Sequence, residues 1–194
     1  MSSQETKAKI IKISAELFNT KGYFGTSISD VMKATGLKKG GIYNHFQSKE
    51  ELALAAFDYA FQQVSKRTLK VLKKKTSAKD RLLAILTNFL SYIDDPPVTG
   101  GCPILNTAIE SDDAHPALQK KALAAMDSLC NLICRIIAKG IAKGEINPNT
   151  NPDEVASIIV CTVEGAIMMS KLYRDPIHLN RAIKHLSQYI ETNL

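Results

Sequence analysis

Between Leu37 and Leu52 the chain reads LKKGGIYNHFQSKEEL, which gathers Lys38, Lys39, Tyr43, Asn44 and His45 around the paired glycines Gly40 and Gly41. These side chains suit contact with a nucleic acid better than catalysis. Lysine ammoniums neutralise phosphates and supply a salt-dependent term in binding. A tyrosine hydroxyl and an imidazole nitrogen donate to phosphate oxygens and set register along a duplex. A carboxamide such as that of Asn44 can make a paired contact with adenine in the major groove. Each glycine costs a helix roughly 1 kcal/mol. A backbone without side chains can approach a duplex closely, and that offsets the cost.

The charge distribution points the same way. The chain has 194 residues and a formal net charge of +6. Residues 1–50 carry eight lysines against four acidic residues, 51–100 carry eight basic against five acidic, and 101–194 carry nine basic against ten acidic. A basic front and a near-neutral rear suit a nucleic-acid-binding segment followed by a segment with another task. A solvated basic surface with no partner would give the same counts. No run of about 18 apolar residues is present, so no membrane span is expected. The opening MSSQETKAKIIK has no signal-peptide apolar core, so a cytoplasmic location is expected.

There Cys102, Cys130, Cys134 and Cys161 should be reduced thiols. Cys130 and Cys134 share a helix face, but no neighbouring His or Cys completes a zinc set. His45, His115, His178 and His185 show no metal-binding spacing, and the Gly-Gly pairs at 40–41 and 100–101 lack the phosphate-loop pattern. No metal, cofactor or catalytic residue is expected, and the protein reads as a non-enzyme.

The elements that must position these residues are helical throughout; no convincing period-two strand occurs. Helix 1 is expected over about 4–20, ended by Lys21-Gly22. Helix 2 opens at the hydroxyls of Thr26 and Ser27, with Asp30 at capping-box spacing from Ser27, and stops at Gly36. Helix 3 covers about 38–45. Helix 4 starts from Ser48 with Glu51 three residues on and runs to about 74. Helices 5 to 9 are expected near 77–93, 103–111, 116–143, 153–173 and 176–192. The fold class is therefore all-α with about nine helices: a three-helix N-terminal domain over 1–47 and a helical bundle over 48–194, with helix 4 connecting the two. Helix 2, a turn at 34–37 and helix 3 have the dimensions of a helix-turn-helix. Ile28, Val31, Leu37 and Ile42 should pack on Ile13, Leu17 and Phe18.

The segment from Ala8 to Leu54 resembles the DNA-binding domain of TetR-family transcriptional regulators. The resemblance rests on Ala15-Glu16-Leu17-Phe18, Gly22-Tyr23, Thr26-Ser27-Ile28 and the run from Lys39 to Leu52 with Ile42-Tyr43, His45-Phe46 and Ser48-Lys49-Glu50. It implies that Thr26, Tyr43, His45 and Lys49 bind phosphates and that Lys39, Gly41 and Asn44 vary with the operator. It also implies that Phe46 anchors helix 3 on helix 4. Gly41 departs from the Ser or Thr often found there. The candidate DNA-binding set is Thr26, Ser27, Lys38, Lys39, Gly40, Gly41, Tyr43, Asn44, His45 and Lys49.

One helix-turn-helix covers few base pairs, so specificity calls for two copies spaced about 34 Å apart on double-stranded DNA. Helices 8 and 9 are the candidates for a homodimer interface, through Val155, Ile159, Val163, Ile167, Ile183, Leu186 and Ile190; helix 8 as a plain core helix is the other reading. The resemblance implies a dimer through the last two helices and a small-molecule effector among helices 4 to 8. Candidate pocket residues are Phe57, Phe61, Phe89, Tyr92, Asn106, Glu110, Met126, Glu164 and Met168. Cys102, in a Gly-Cys-Pro-x-x-Asn loop like that of one C-terminal subgroup, joins them. At a helix N-terminus its thiol would gain thiolate character and sense electrophiles, or it would serve only as a small cap. The resulting expectation is a homodimeric repressor that binds a palindromic operator and is released by a small-molecule or electrophile inducer. A dimeric helical protein with a structural role is the alternative.

Overall fold

The computed structural model describes residues 2–111 and 114–194. Among them are nine helices and no strand: α1 (Ser3–Gly25), α2 (Ile28–Thr35), α3 (Lys39–Tyr43), α4 (Lys49–Leu72), α5 (Ala78–Leu90), α6 (Pro103–Ser111), α7 (Pro116–Ala142), α8 (Pro152–Tyr173) and α9 (Ile177–Asn193). They form two compact units, Met1–Val64 with Pro97–Ala125 and Ser65–Pro96 with Met126–Leu194.

In the first unit, α1 begins at a capping box in which Ser2 Oγ accepts from Glu5 N–H and Glu5 accepts from Ser2 N–H. Its regular course breaks at Gly22, at φ 78° and ψ 167°, and one further turn carries the chain to Thr26. The break expected at Lys21-Gly22 is therefore real, but helical hydrogen bonding resumes beyond it. Ser27 caps α2, and Gly36 ends it in the left-handed region, with its N–H donating to Met32 O at 2.9 Å. Thr35 Oγ1 donates to Val31 O, and Lys9 Nζ donates to Thr35 O at 2.8 Å, so the end of α2 is tied to α1.

Ile10, Val31, Ile42, Phe46 and Leu52 form the core of these short helices, with Leu17, Phe18, Ile28 and Leu37 packed against it. Burying a side chain of this size is worth about 1.5–3 kcal/mol, which helices of five and eight residues need because they are too short to persist alone. Ile10 takes the central place that the sequence pattern offered to Ile13, which is only half-buried. At the start of α4, Ser48 Oγ accepts from Glu51 N–H at 3.0 Å, while Glu51 reaches past Ser48 to the N–H of Gln47 at 2.7 Å.

In the second unit, α9 packs against both α5 and α8. Leu82, Ile85, Leu86 and Phe89 of α5 are buried, as are Ile133, Ile136 and Ile137 of α7. Ser77 caps α5, which ends at Leu90, short of the Asp-Asp-Pro-Pro break. Arg67 closes the chain after it through Ser91 Oγ at 2.8 Å and Asp95 Oδ2 at 3.0 Å. Asn151 caps α8 with Pro152 at N1, and Arg174 ends it in the left-handed region. With a mean hydropathy of 1.6, α8 is long and apolar enough to span a membrane by composition; half of that stretch is buried within the protein.

Gly36 has φ 72°, so a side chain there strains the backbone even though a Cβ would meet nothing within 4 Å. Gly36→Ala is expected to cost about 1–2 kcal/mol. The measurement is a fall in the urea midpoint with an unchanged slope.

Candidate nucleic-acid interface

The turn and α3 present the candidate residues on a buried support. Lys38 is extended (φ −77°, ψ 163°) and its carbonyl accepts from Gly41 N–H at 2.8 Å, which starts α3. After one turn, Asn44 N–H bonds to Gly40 O at 2.9 Å and Phe46 N–H to Ile42 O at 3.1 Å. Ile42 and Phe46 point into the core, at 1% and 2% exposed. The remaining surface of this segment is formed by Lys38, Lys39, Gly40, Tyr43 and Asn44, all exposed, with Gly41 and His45 half-exposed. Lys39 Nζ lies 5.7 Å above the Tyr43 ring, an arrangement that groups a cation and a hydroxyl on one side.

Neither paired glycine is required by the chain's own geometry. A Cβ at Gly40 would meet nothing within 4 Å, and one at Gly41 would touch Leu37 Cβ at an ordinary 3.4 Å. Neither has positive φ. The helix tolerates two poor helix formers at positions where alanine would fit, so an internal packing demand does not explain them.

The cap of α2 completes one edge. Ser27 Oγ–H and N–H both bond to Asp30 Oδ2, at 2.6 and 2.8 Å, and Asp30 N–H returns to Ser27 Oγ at 3.1 Å. The Ser27 hydroxyl, then its backbone N–H, then Lys21 hold the Asp30 carboxyl down to about 2. Ser27 is exposed beside this cap. Thr26 is placed differently from the expectation. It is 1% exposed, and its hydroxyl donates to Gly22 O at 2.7 Å. The break in α1 leaves that carbonyl without its helical partner, and Thr26 supplies the donor. Its side chain is thus part of the support, not of the exposed surface.

Lys49, half-buried at the start of α4, lies with Nζ 4.2 Å above the ring of Tyr23. Tyr23 is a residue that pattern reasoning quoted but gave no task. Its ring also meets the edge of His115 at a centroid distance of 4.6 Å. Burial, then the charge of Glu50, raises the Tyr23 pKa, which keeps the phenol neutral.

The ten pocket candidates do not converge on one site. Phe57 and Glu110 line a cavity of about 30 Å³ with Phe18, Tyr23, Ser111 and His115, well below the volume of a small-molecule site. The Glu110 carboxylate is taken by the backbone N–H groups of Tyr23 and Phe24, and Asn106 Nδ2 by Asn19 and the Gly100 carbonyl. Both side chains are therefore fasteners within the unit. Cys102 is 1% exposed and its carbonyl accepts from Asn106 N–H at 3.1 Å, as a cap residue would. That burial shields its thiol from reagents. Phe89 and Tyr92 pair in the second unit at 5.1 Å, where Glu164 is also buried. Phe61 and Met126 are half-buried, and Met168 is 46% exposed rather than pocket-lining. Burial and the Asp153 carboxylate raise the Cys134 thiol to about 11.

The seven residues expected at a dimer interface are also corrected. Val155, Ile159, Val163, Ile167, Ile183, Leu186 and Ile190 are all buried within their own chain, none more than 5% exposed. They are the seam that packs α8 and α9 into the second unit. The apolar face that α8 leaves exposed is a different one: Ile158, Cys161, Met168 and Leu172, with the half-exposed Gly165 between them, recurring at alternating steps of three and four. A Cβ at Gly165 would meet nothing within 4 Å.

A short helix held on a capped turn, with cations, a phenol and a carboxamide on its outer side, defines a helix-turn-helix DNA-binding protein. Residues 10–56 match the model described as bacterial regulatory proteins, tetR family, and residues 78–186 match the tetracyclin repressor-like C-terminal domain. The chain belongs to the TetR family of DNA-binding transcriptional regulators. It is 46% identical to a TetR transcriptional regulator from Chloroflexus aurantiacus, with a TM-score of 0.96 over 98% of this chain and 96% of that one. An uncharacterized HTH-type transcriptional regulator of Lactococcus lactis is 28% identical over 184 residues, 89% of this chain and 86% of that protein. CifR, a TetR family regulator solved with 26-bp double-strand operator DNA, is 19% identical with a TM-score of 0.82 over 96% of each chain.

Gly40→Ala separates the two uses of this segment. It is expected to stabilise the free protein by about 0.5–1 kcal/mol through helix propensity. It should weaken duplex binding, because the added methyl occupies the approach. Denaturation and fluorescence anisotropy on the same preparation check both; unchanged affinity would remove close approach as the reason for the glycine.

Proposed function

We propose that this protein is a homodimeric repressor that acts in the cytoplasm on a palindromic operator and is released by a small-molecule inducer. The observation that carries the DNA part is the outward face of α3, where Lys38, Lys39, Tyr43 and Asn44 are exposed over a buried Ile42 and Phe46. Lys38, Lys39, Tyr43, His45 and Lys49 neutralise or donate to phosphates. Asn44 reads a base edge, Gly40 and Gly41 admit the backbone, and Ser27 adds a hydroxyl beside the turn. With Gly41 in place of a hydroxyl residue, direct readout falls more heavily on Asn44. The operator complex of CifR supports the same mode of binding here.

Residues 1–47 act as the reading head and 48–194 as the part that pairs and senses. The exposed α8 stripe supports a two-fold interface. Its three-and-four spacing is that of helices packed at a shallow angle, and Gly165 permits close approach. A two-fold pair presents the two α3 helices to successive turns of the major groove. The inducer acts by favouring a spacing of the two heads that no longer matches the operator.

Binding and sedimentation measurements test this. Lys39→Ala should reduce the slope of log affinity against log salt by about 1, and Asn44→Ala should relax base preference at one position of each half-site. Equal affinity for palindromes near the gene and for random duplex at physiological salt would overturn the reading. Leu172→Glu, at a position 75% exposed in the single chain, should convert the dimer to a folded monomer in sedimentation and abolish operator binding. A dimer of undiminished strength would place the interface elsewhere.

A further inference from the structure

The second unit contains a groove with no task in DNA binding. It has a volume of about 320 Å³ and lies between the start of α5 and the last turns of α7. Four cations line it: Arg81 from α5, Arg135 and Lys139 from α7, and Lys143 from the turn that follows α7. Arg135 and Lys139 stand four positions apart, which puts them on one side of α7. Among the described residues a single carboxylate, Glu145, lines the groove with them. It is already committed, with Oε2 accepting from Ala78 N–H at 2.6 Å and Oε1 lying 3.8 Å from Lys143 Nζ.

Helix electrostatics accounts for only part of this cluster. Lys139 and Lys143 sit where the C-terminal end of α7 favours positive charge. Arg135 lies two turns earlier, and its Nε donates to Asn131 O at 3.1 Å, which fixes one edge of its guanidinium. Arg81 stands in the first turn of α5, the end at which a cation is disfavoured. Its Nε is buried and has no hydrogen-bond partner among the described residues. A buried donor without an acceptor costs about 1–3 kcal/mol. Two guanidiniums and a lysine pair are what a phosphate-bearing guest would satisfy, because a guanidinium fork matches phosphate oxygens bidentately. Ile136 supplies an apolar lining, and the volume falls in the range of small-molecule sites.

We infer that this groove binds a small molecule carrying two linked phosphates, of nucleoside diphosphate size, with Arg81 and Arg135 gripping the phosphates and Lys139 and Lys143 neutralising them. The site uses no residue of the reading head and stands independently of the operator reading.

Calorimetric titration of the full-length protein with ADP at 0.15 M salt tests it, with pyrophosphate as competitor. One site per chain is expected, displaced by pyrophosphate. Arg81→Gln and Arg135→Gln should each weaken it by about 10-fold or more, while Lys184→Gln on the exposed side of α9 leaves it unchanged. Circular dichroism and a thermal melt establish that each variant is folded; Arg135, which is exposed, keeps the test open if Arg81→Gln does not fold. Absence of saturable binding by ADP and pyrophosphate overturns the inference. So does an equal loss in Lys184→Gln, which marks diffuse attraction to a basic surface. Loss of operator affinity in the arginine variants without any phosphate binding also overturns it, and assigns the groove to DNA.

Discussion

The carboxylate of Glu110 on α6 accepts hydrogen bonds from two successive backbone N–H groups, Tyr23 at 2.6 Å and Phe24 at 2.9 Å, where α1 breaks. The break at Gly22 strips those groups of their helical acceptors, and a buried or half-buried amide without a partner is costly. A charged acceptor reaching both at once is among the stronger ways to satisfy them. Gly22 is required twice over: φ is 78°, and a Cβ would collide with the same carboxylate. From this clasp follows the place of the Tyr23 ring, on which Lys49 and His115 both rest. A second fastening lies close by. Asn19 Nδ2 donates to Thr99 O and Gly101 O, and Asn106 donates to Asn19 Oδ1 and Gly100 O. The Gly-Cys-Pro-x-x-Asn loop is thus a device for attaching the start of α6 to α1.

The reading head divides its residues strictly between support and surface. Ile42 and Phe46 give a five-residue helix the burial it needs to exist, and Thr26 spends its hydroxyl on the break in α1. What remains outward is basic, aromatic or without side chain. The paired glycines belong to that outward set. Their neighbours leave room for a methyl at Gly40 and nearly so at Gly41, so their explanation lies outside the chain. Gly36 is the opposite case, a glycine that the backbone itself demands.

Apolar residues on α8 occupy two faces, and burial separates them. The face from Val155 to Ile167 is sealed against α9 and the rest of its unit, and the face from Ile158 to Leu172 is open. An open stripe of this length is unusual for a solitary chain and suited to a partner of the same kind. The Cys102 thiol is sealed as well, while Cys161 lies on the open stripe. Neither arrangement changes the composition of α8 or of the loop; both follow from which side meets the core.

The helices, their caps and the reading head were legible in the sequence because they depend on neighbours a few residues apart. The Ser27–Asp30 box, the stop at Gly36 and the Pro at the start of α8 all stand where local pattern put them, and Phe46 is buried as the family resemblance implied. The charge asymmetry and the spacing from Lys38 to Lys49 likewise sufficed to indicate DNA. What the sequence left open was every choice between chemically equivalent options. Ile10 or Ile13 at the centre of the core, one face of α8 or the other, a hydroxyl of Thr26 turned out or in: hydropathy scores these alike, because the hydrophobic effect has no direction. The clasp of Glu110 on Tyr23 spans 87 positions, and no local periodicity records it. Those decisions belong to the tertiary structure, where a side chain's role is set by which of its possible partners the packed chain brings within reach.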